Sequence, residues 1–358
     1  MSIAVLLPAL TSLLAFVFAL ALLDQWWERR HGYQLIWAAG MLFFGIASAC
    51  EAIGAAGGWS DLLYRSWYVT GAAWTAAWLG LGTAYLLGKT RFGYMYAALV
   101  LLAGLIAFGT RNNPKYPDVG TVAILILIFA LIIAIAIAVE TYFQNERWPQ
   151  ISAFFVAAAS LGALWFAFSQ PLAGGVPAVD PNTGVPVGDA IPSAARVFSL
   201  VLNVPGGLSL ALGALFSVYI FMPKKRVLDY SLDAGQPGDQ FLFNIFLAII
   251  AIPVNFVASL PGAIRALVTG NIHSRVPATL LIAIGAFVVS GADALSRLGS
   301  TTFYSAAKLV ALVLIFVGFL ISTEVFREIR IPFTHRVLRP ERHEPTPATV
   351  NAATDSAP

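Results

Sequence analysis

Residues 278–326 constrain this chain more than any other stretch, because they hold two apolar runs parted only by Arg297-Leu298-Gly299-Ser300. Each run is about 20 residues, and at about 1.5 Å per residue that length crosses a hydrocarbon core of roughly 30 Å. The stretch is therefore expected to be a transmembrane helical hairpin. Asp293 lies six residues before Gly299 and Lys308 nine after it. Both should sit roughly 9–14 Å below one membrane face, on neighbouring helices. An ionisable group at that depth costs about 2.5–3.5 kcal/mol on insertion scales unless it is paired or hydrated. A pairing of Asp293 with Lys308 would either lock the hairpin or make a proton or ligand site.

A second hairpin has the same layout. Residues 35–57 are apolar with Glu51 near their end, Gly58-Trp59-Ser60-Asp61 breaks the run, and residues 66–88 follow, preceded by Arg65. Acid and base are 14 residues apart here and 15 apart at Asp293 and Lys308. Ala-Ala-Gly-Met-Leu-Phe-Phe-Gly precedes Glu51, and Ala-Ile-Gly-Ala-Phe-Val-Val-Ser precedes Asp293. The agreement reads as a loose internal repeat of the kind multipass proteins carry, with Glu51 and Arg65 as its intramembrane charge pair.

Of 358 residues, 59% are hydrophobic and 11% charged, where a soluble domain carries about a quarter charged residues. The chain is thus expected to be an all-α, polytopic transmembrane bundle with little soluble mass. The single cysteine, Cys50, falls within an apolar run and cannot make an intramolecular disulfide. A net charge of +3 spread over loops and tail bears on membrane orientation rather than nucleic acid.

Taken in order, residues 3–23 read as an uncleaved helix, since no small-residue cleavage site precedes Asp24. Trp26, Trp27, Arg29 and Arg30 then form an interface belt on a cytoplasmic loop, which starts the chain outside. The third helix carries Trp67, Trp74, Trp78 and Tyr85 at steps of seven, four and seven, an aromatic stripe on one face. The stripe would either pack against neighbouring helices or wall an aromatic ligand. Further apolar runs cover 93–110, 121–139 and 151–169. The loop 170–197 has no lysine or arginine before Arg196, which suits the outside, and its 176–187 segment alternates about Asp-Pro-Asn-Thr-Gly as a small β-hairpin would.

The seventh run, 198–222, contains Asn203, Pro205, Gly206 and Gly207, a sequence expected to break the helix, either merely shaping packing or exposing backbone to a solute. Residues 223–240 read as a cytoplasmic linker headed by Lys224, Lys225 and Arg226. Residues 241–264 are apolar enough to cross, yet ten crossings would put the arginine-rich tail outside. With Pro253 inside it, this segment is expected to be broken, as a re-entrant or interface-bound pair of short helices beside nine crossings, with ten plain crossings as the alternative. The membrane domain would then span 1–323, and 324–358 would form a basic, then disordered cytoplasmic tail able to hold anionic lipid or a cytoplasmic protein.

Ala56-Gly57-Gly58-Trp59, Tyr64-Arg65-Ser66-Trp67-Tyr68, the 78–87 segment and Gly318-Phe319-Leu320 together resemble uncharacterised multipass membrane proteins of actinobacterial type, often seven-pass. The match covers about a third of the chain and implies a bacterial plasma-membrane protein whose last two helices return to the cytoplasm. A fainter likeness, through the late acid of the second helix at Glu51, is to the seven-helix sensor modules of histidine kinases. Neither resemblance supplies catalytic residues, cofactor or metal. The four histidines, His31, His273, His335 and His343, have no ligand partner at helical spacing, and no phosphate loop or activated nucleophile is present. An enzyme is therefore not expected. Membrane-embedded sensing or scaffolding is the leading expectation, and solute or proton transport through Asp293 and Lys308 the alternative.

Overall fold

In hydrocarbon a backbone has no water to bond, so each apolar run must close its own hydrogen bonds as a helix. The computed structural model describes residues 2–180, 183–231, 238–269, 273, 275–297, 301, 303–322, 329–330 and 337–339. Its helices are α1 (Ile3–Arg29), α2 (Gly32–Gly57), α3 (Asp61–Trp67), α4 (Ala76–Leu86), α5 (Phe92–Gly109), α6 (Gly120–Tyr142), α7 (Trp148–Ser169), α8 (Ser193–Phe221), α9 (Gly238–Val268), α10 (Arg275–Arg297) and α11 (Tyr304–Ile321). A π-helical segment, Tyr68–Thr75, joins α3 to α4, so 61–86 forms one rod. Nine uninterrupted helices among the described residues are long and apolar enough to cross a membrane, and this interrupted rod adds a tenth. The protein is a multipass membrane protein built as an all-α bundle.

Arginines and lysines gather at one end of the bundle, at Arg29, Arg30, Lys89, Arg91, Arg147 and Lys224–Arg226, all in or beside the turns of that end. At this basic end the helix termini are tied together. Arg91 donates to the carbonyls of Thr141 at 2.5 Å and Tyr142 at 3.2 Å, the last turn of α6, where unpaired carbonyls attract a cation. The indole of Trp148 donates to Gly88 O at 2.8 Å and joins α7 to the turn after α4.

Small residues set the closest helix approach. Gly80 of α4 and Gly206 of α8 meet backbone to backbone, and a Cβ on either would collide with the other helix. In a membrane, such approach supplies the packing that a hydrophobic driving force cannot. At Asn203, Pro205, Gly206 and Gly207, α8 runs on as a continuous helix, and of the two roles expected there the packing one is visible. Gly206 makes room there for α4.

The 241–264 segment keeps to the expected nine crossings but not to the expected break. It is neither broken at Pro253 nor re-entrant but part of the single helix α9. Near its start, Phe241 packs on Tyr94 and Tyr142 with ring centroids 6.0 and 5.0 Å away. Fifteen residues on, Phe256 meets Tyr219 at 6.3 Å, and Ala263 joins Val218, Tyr219, Met222 and Val276 in one buried cluster. Those partners begin α5, end α6, end α8 and begin α10, all at the basic end. A helix whose two ends both touch one end of the bundle lies across it. Among the described residues the bundle therefore has nine crossings, with α9 as a strap. Asn255 fastens the strap by accepting from Val227 N at 2.8 Å and Leu228 N at 3.0 Å and donating to Leu228 O at 2.8 Å. Phe243, Phe246, Ile249, Ile250 and Val257 stay exposed on its other side, as suits an apolar face sunk in the interface.

At the far end, Val179 and Pro186 form a β-bridge, with Gly184 in the left-handed region closing the turn, so the 176–187 segment is a hairpin as its alternation predicts. Most of 324–358 lies outside the described residues; within it, Ile329–Arg330 and Val337–Arg339 pair antiparallel.

Candidate functional site

The π segment shapes the site. Its wider turn brings Thr75 Oγ1 to the carbonyl of Thr70, five residues back, at 2.8 Å. The carbonyl of Ala72 turns toward α8 and accepts from Ser199 Oγ at 2.8 Å and from Asn203 Nδ2. Carbonyls released by a π-bulge commonly find side-chain donors, and such bulges gather at functional sites. Beside this segment lies a cavity of about 330 Å³ between α2, the 61–86 rod, α8, α10 and α11. That volume falls within the range of ligand sites, about 300–1,000 Å³. Its wall is mostly apolar, with Met41, Phe44, Leu79, Leu312 and Ile315 toward the basic end. Polar groups join the wall at Thr75, Asn203, Ser290, Asp293, Tyr304 and Lys308.

Lys308 carries the principal charge of that wall. Its Nζ donates to Glu51 Oε1 at 2.7 Å, with both side chains almost fully buried, at 6% and 4% exposed. Trp67 Nε1 donates to the same oxygen at 2.8 Å. The ammonium also lies over the rings of Phe44 and Tyr304, 5.2 and 5.3 Å from their centroids, a placement that stabilises a desolvated cation.

The pairing differs from that expected along each hairpin. Lys308 bonds Glu51 of the other hairpin rather than Asp293, which lines the cavity half-buried. Arg65 bonds Asp61 at 2.7 Å rather than Glu51 and donates to the carbonyls of Ala167 and, at 2.7 Å, Gln170. It thereby clamps α3 to the end of α7, where the helix terminus leaves carbonyls unpaired. Spacing alone left the pairing open, since Glu51 lies seven residues before its turn at Gly58 and Asp293 four before its turn at Arg297, on the same side of the bundle. The choice was made by α1, which packs against both α2 and α11 and sets them side by side.

The aromatic stripe divides as well. Trp67 faces the cavity, while Trp74 donates to Ser160 O at 3.2 Å on α7 and meets Phe43 at 4.9 Å. Trp78 stacks edge-on against Phe43 at 5.6 Å, and Tyr85 packs half-buried against the core. A π turn holds more residues than an α turn, so it rotates Trp67 away from the tryptophans that follow. Among the helix-break residues, Asn203 and Gly207 line the cavity, whereas Pro205 and Gly206 are buried and Pro253 lies in α9 away from it. Thr75, Ser290 and Tyr304 belong to the wall without any signal in their spacing; Ser290 was findable only as the polar residue one turn before Asp293.

The far end is covered. Thr301, between α10 and α11, donates to Asp180 and shares a 2.5 Å hydrogen bond with Thr183, so the 176–187 hairpin is held down there. Tyr64 donates to Val187 O and holds its other strand, and Gly188 packs on Tyr68. Toward the basic end, Phe18, Trp37, Phe319, Ile282 and Leu210 pack as one core cluster.

No protein-family model matches the chain, and no curated protein or solved structure matches it either.

Proposed function

We propose that this protein is a membrane-embedded sensor, which binds a small ligand in the cavity beside Glu51 and Lys308 and reports occupancy at its basic end. One observation carries the reading: a cavity of ligand size has the buried Glu51–Lys308 pair in its wall, between a hairpin pinned at the far end of the bundle and a packed aromatic and aliphatic cluster toward the basic end. A cavity backed by a packed cluster on the basic side suits retention better than passage. Its charges are already matched, so they support structure and recognition rather than proton release. The route for a signal is short. α10 and α11 carry part of the wall, and α10 starts in the cluster that holds α9, so movement of this hairpin reaches the strap.

On the positive-inside rule the basic end faces the cytoplasm and the 176–187 hairpin the outside of a bacterial plasma membrane, which is also what the resemblance to actinobacterial multipass proteins implies. The tail would then meet a cytoplasmic partner or anionic lipid.

Transport is the second reading, favoured by the buried charge pair at a cavity between two similar hairpins. Proteoliposomes containing the purified protein and a trapped pH dye separate the two. Sensing predicts that an imposed proton gradient decays no faster with the wild type than with empty vesicles. Decay that is accelerated by the wild type and abolished by Lys308→Met, with the variant still folded, would establish transport instead.

A further inference from the structure

The cavity reaches the surface of the protein at its side. Among the described residues of its wall only Leu208, on α8, and Ser290, on α10, are exposed. These two helices pack tightly in their basic half, where Leu210, Ala211 and Ala214 meet Ile282, Ala283 and Ala286. Farther toward the hairpin end, Val204, Gly207 and Leu208 face Val289, Ser290 and Asp293 across the cavity instead. At that level a Cβ placed on Gly207 would find only Ser290 Oγ, at 3.8 Å. The opening thus lies at hydrocarbon depth, in a wall between two crossing helices.

We propose that the cavity is filled sideways from the bilayer, through the gap between α8 and α10, by a single-chain amphiphile with an uncharged, hydrogen-bonding head. The inference deepens the reading of the cavity as a ligand site and rests on it. Three features select this class. The access route runs through lipid, because Leu208 and Ser290, the exposed residues of the wall, lie within the crossing helices α8 and α10 rather than at their ends. The chamber is apolar in its deeper part, where Met41, Leu79, Leu312 and Ile315 would surround a hydrocarbon chain. The head would lie among Thr75, Asn203, Ser290 and Tyr304, which offer neutral donors and acceptors. A charged head finds no unmatched counter-charge in Lys308, which is held by Glu51 at 2.7 Å, and Asp293 is itself engaged. Bringing a net charge into so dry a site would carry its full desolvation cost.

The test uses the full-length protein in lipid nanodiscs and a long-chain fatty alcohol carrying a mid-chain diazirine. After illumination, labelled residues are mapped by mass spectrometry, with the lipid-facing residues Leu125, Ile128 and Ile132 of α6 as the reference for unspecific labelling. Labelling of 200–208 and 286–290 should saturate, exceed that of α6 several-fold, and be displaced by unlabelled fatty alcohol better than by a fatty acid or an alkyl trimethylammonium of equal chain length. Gly207→Trp, or Ser290→Trp should the first fail to fold, should abolish the cavity labelling and leave that of α6 unchanged. Labelling that does not saturate, or that survives both substitutions in folded protein, overturns the proposal. Preferential displacement by either charged amphiphile overturns the choice of head. A Cys50→Ser background carrying Ala72→Cys separates the lateral route from the cavity reading itself. Reaction of that cysteine with a water-soluble methanethiosulfonate, in protein the alcohol does not label, would discard lipid entry and leave a ligand cavity. If neither reagent reaches the cavity, both readings fall.

Discussion

The two hairpins that look alike in sequence use their buried cations for opposite purposes. Arg65, in the first, binds Asp61 and the terminal carbonyls of α7, so its partners are local or belong to the backbone. Lys308, in the second, binds a single carboxylate on a distant helix and lines the cavity. The guanidinium's several in-plane donors suit a cluster of carbonyls, whereas the ammonium is a point charge that needs a counter-charge. Equal spacing along the chain therefore hides a structural clamp and a site residue.

The largest effect should come from breaking the Glu51–Lys308 pair. Lys308→Met leaves the Glu51 carboxylate buried opposite a thioether and should cost about 3–5 kcal/mol. Adding Glu51→Gln should recover most of that loss, and a double-mutant cycle from reversible unfolding in detergent measures the recovery. Arg65→Met should cost about 2–3 kcal/mol because backbone carbonyls lose a charged donor. Here Asp61→Asn should not rescue it, since no buried carboxylate has been orphaned; rescue would erase the contrast between the two hairpins. Trp67→Phe removes the second donor to Glu51 and should cost about 1.5–3 kcal/mol, and the penalty should shrink when Glu51 is already glutamine. The smallest effect belongs to the cover. Thr301→Val should cost about 1 kcal/mol and raise amide hydrogen exchange within 176–187 while leaving α6 unchanged. Exchange unchanged by that substitution would show that Tyr64 alone holds the hairpin down.

Much of the fold could be read from the chain because the bilayer imposes one rule on every apolar run. Such a run must be helical, and its length tells whether it can cross. The small hairpin at 176–187 was equally legible, since Asp-Pro-Asn-Thr-Gly turns a chain locally. The site was legible only in part. Glu51, Arg65, Asp293 and Lys308 stand out because charges are rare in hydrocarbon, yet their partners are not written in spacing. Likewise 241–264 has the length and apolarity of a crossing helix; the positive-inside rule set it aside from the nine crossings, but only its contacts show one continuous helix lying across the bundle.

What the sequence determined alone was the class of the molecule, the positions of its helices and the depth of its charges, all consequences of local hydropathy along one axis. The tertiary structure decided which acid meets which base, where the π turn redirects Trp67, where α9 lies and where the cavity opens. Those outcomes depend on lateral neighbours and helix rotation, and a linear pattern specifies neither. Gly80 against Gly206 and α1 wedged against α2 and α11 set them, through contacts between residues far apart in the chain.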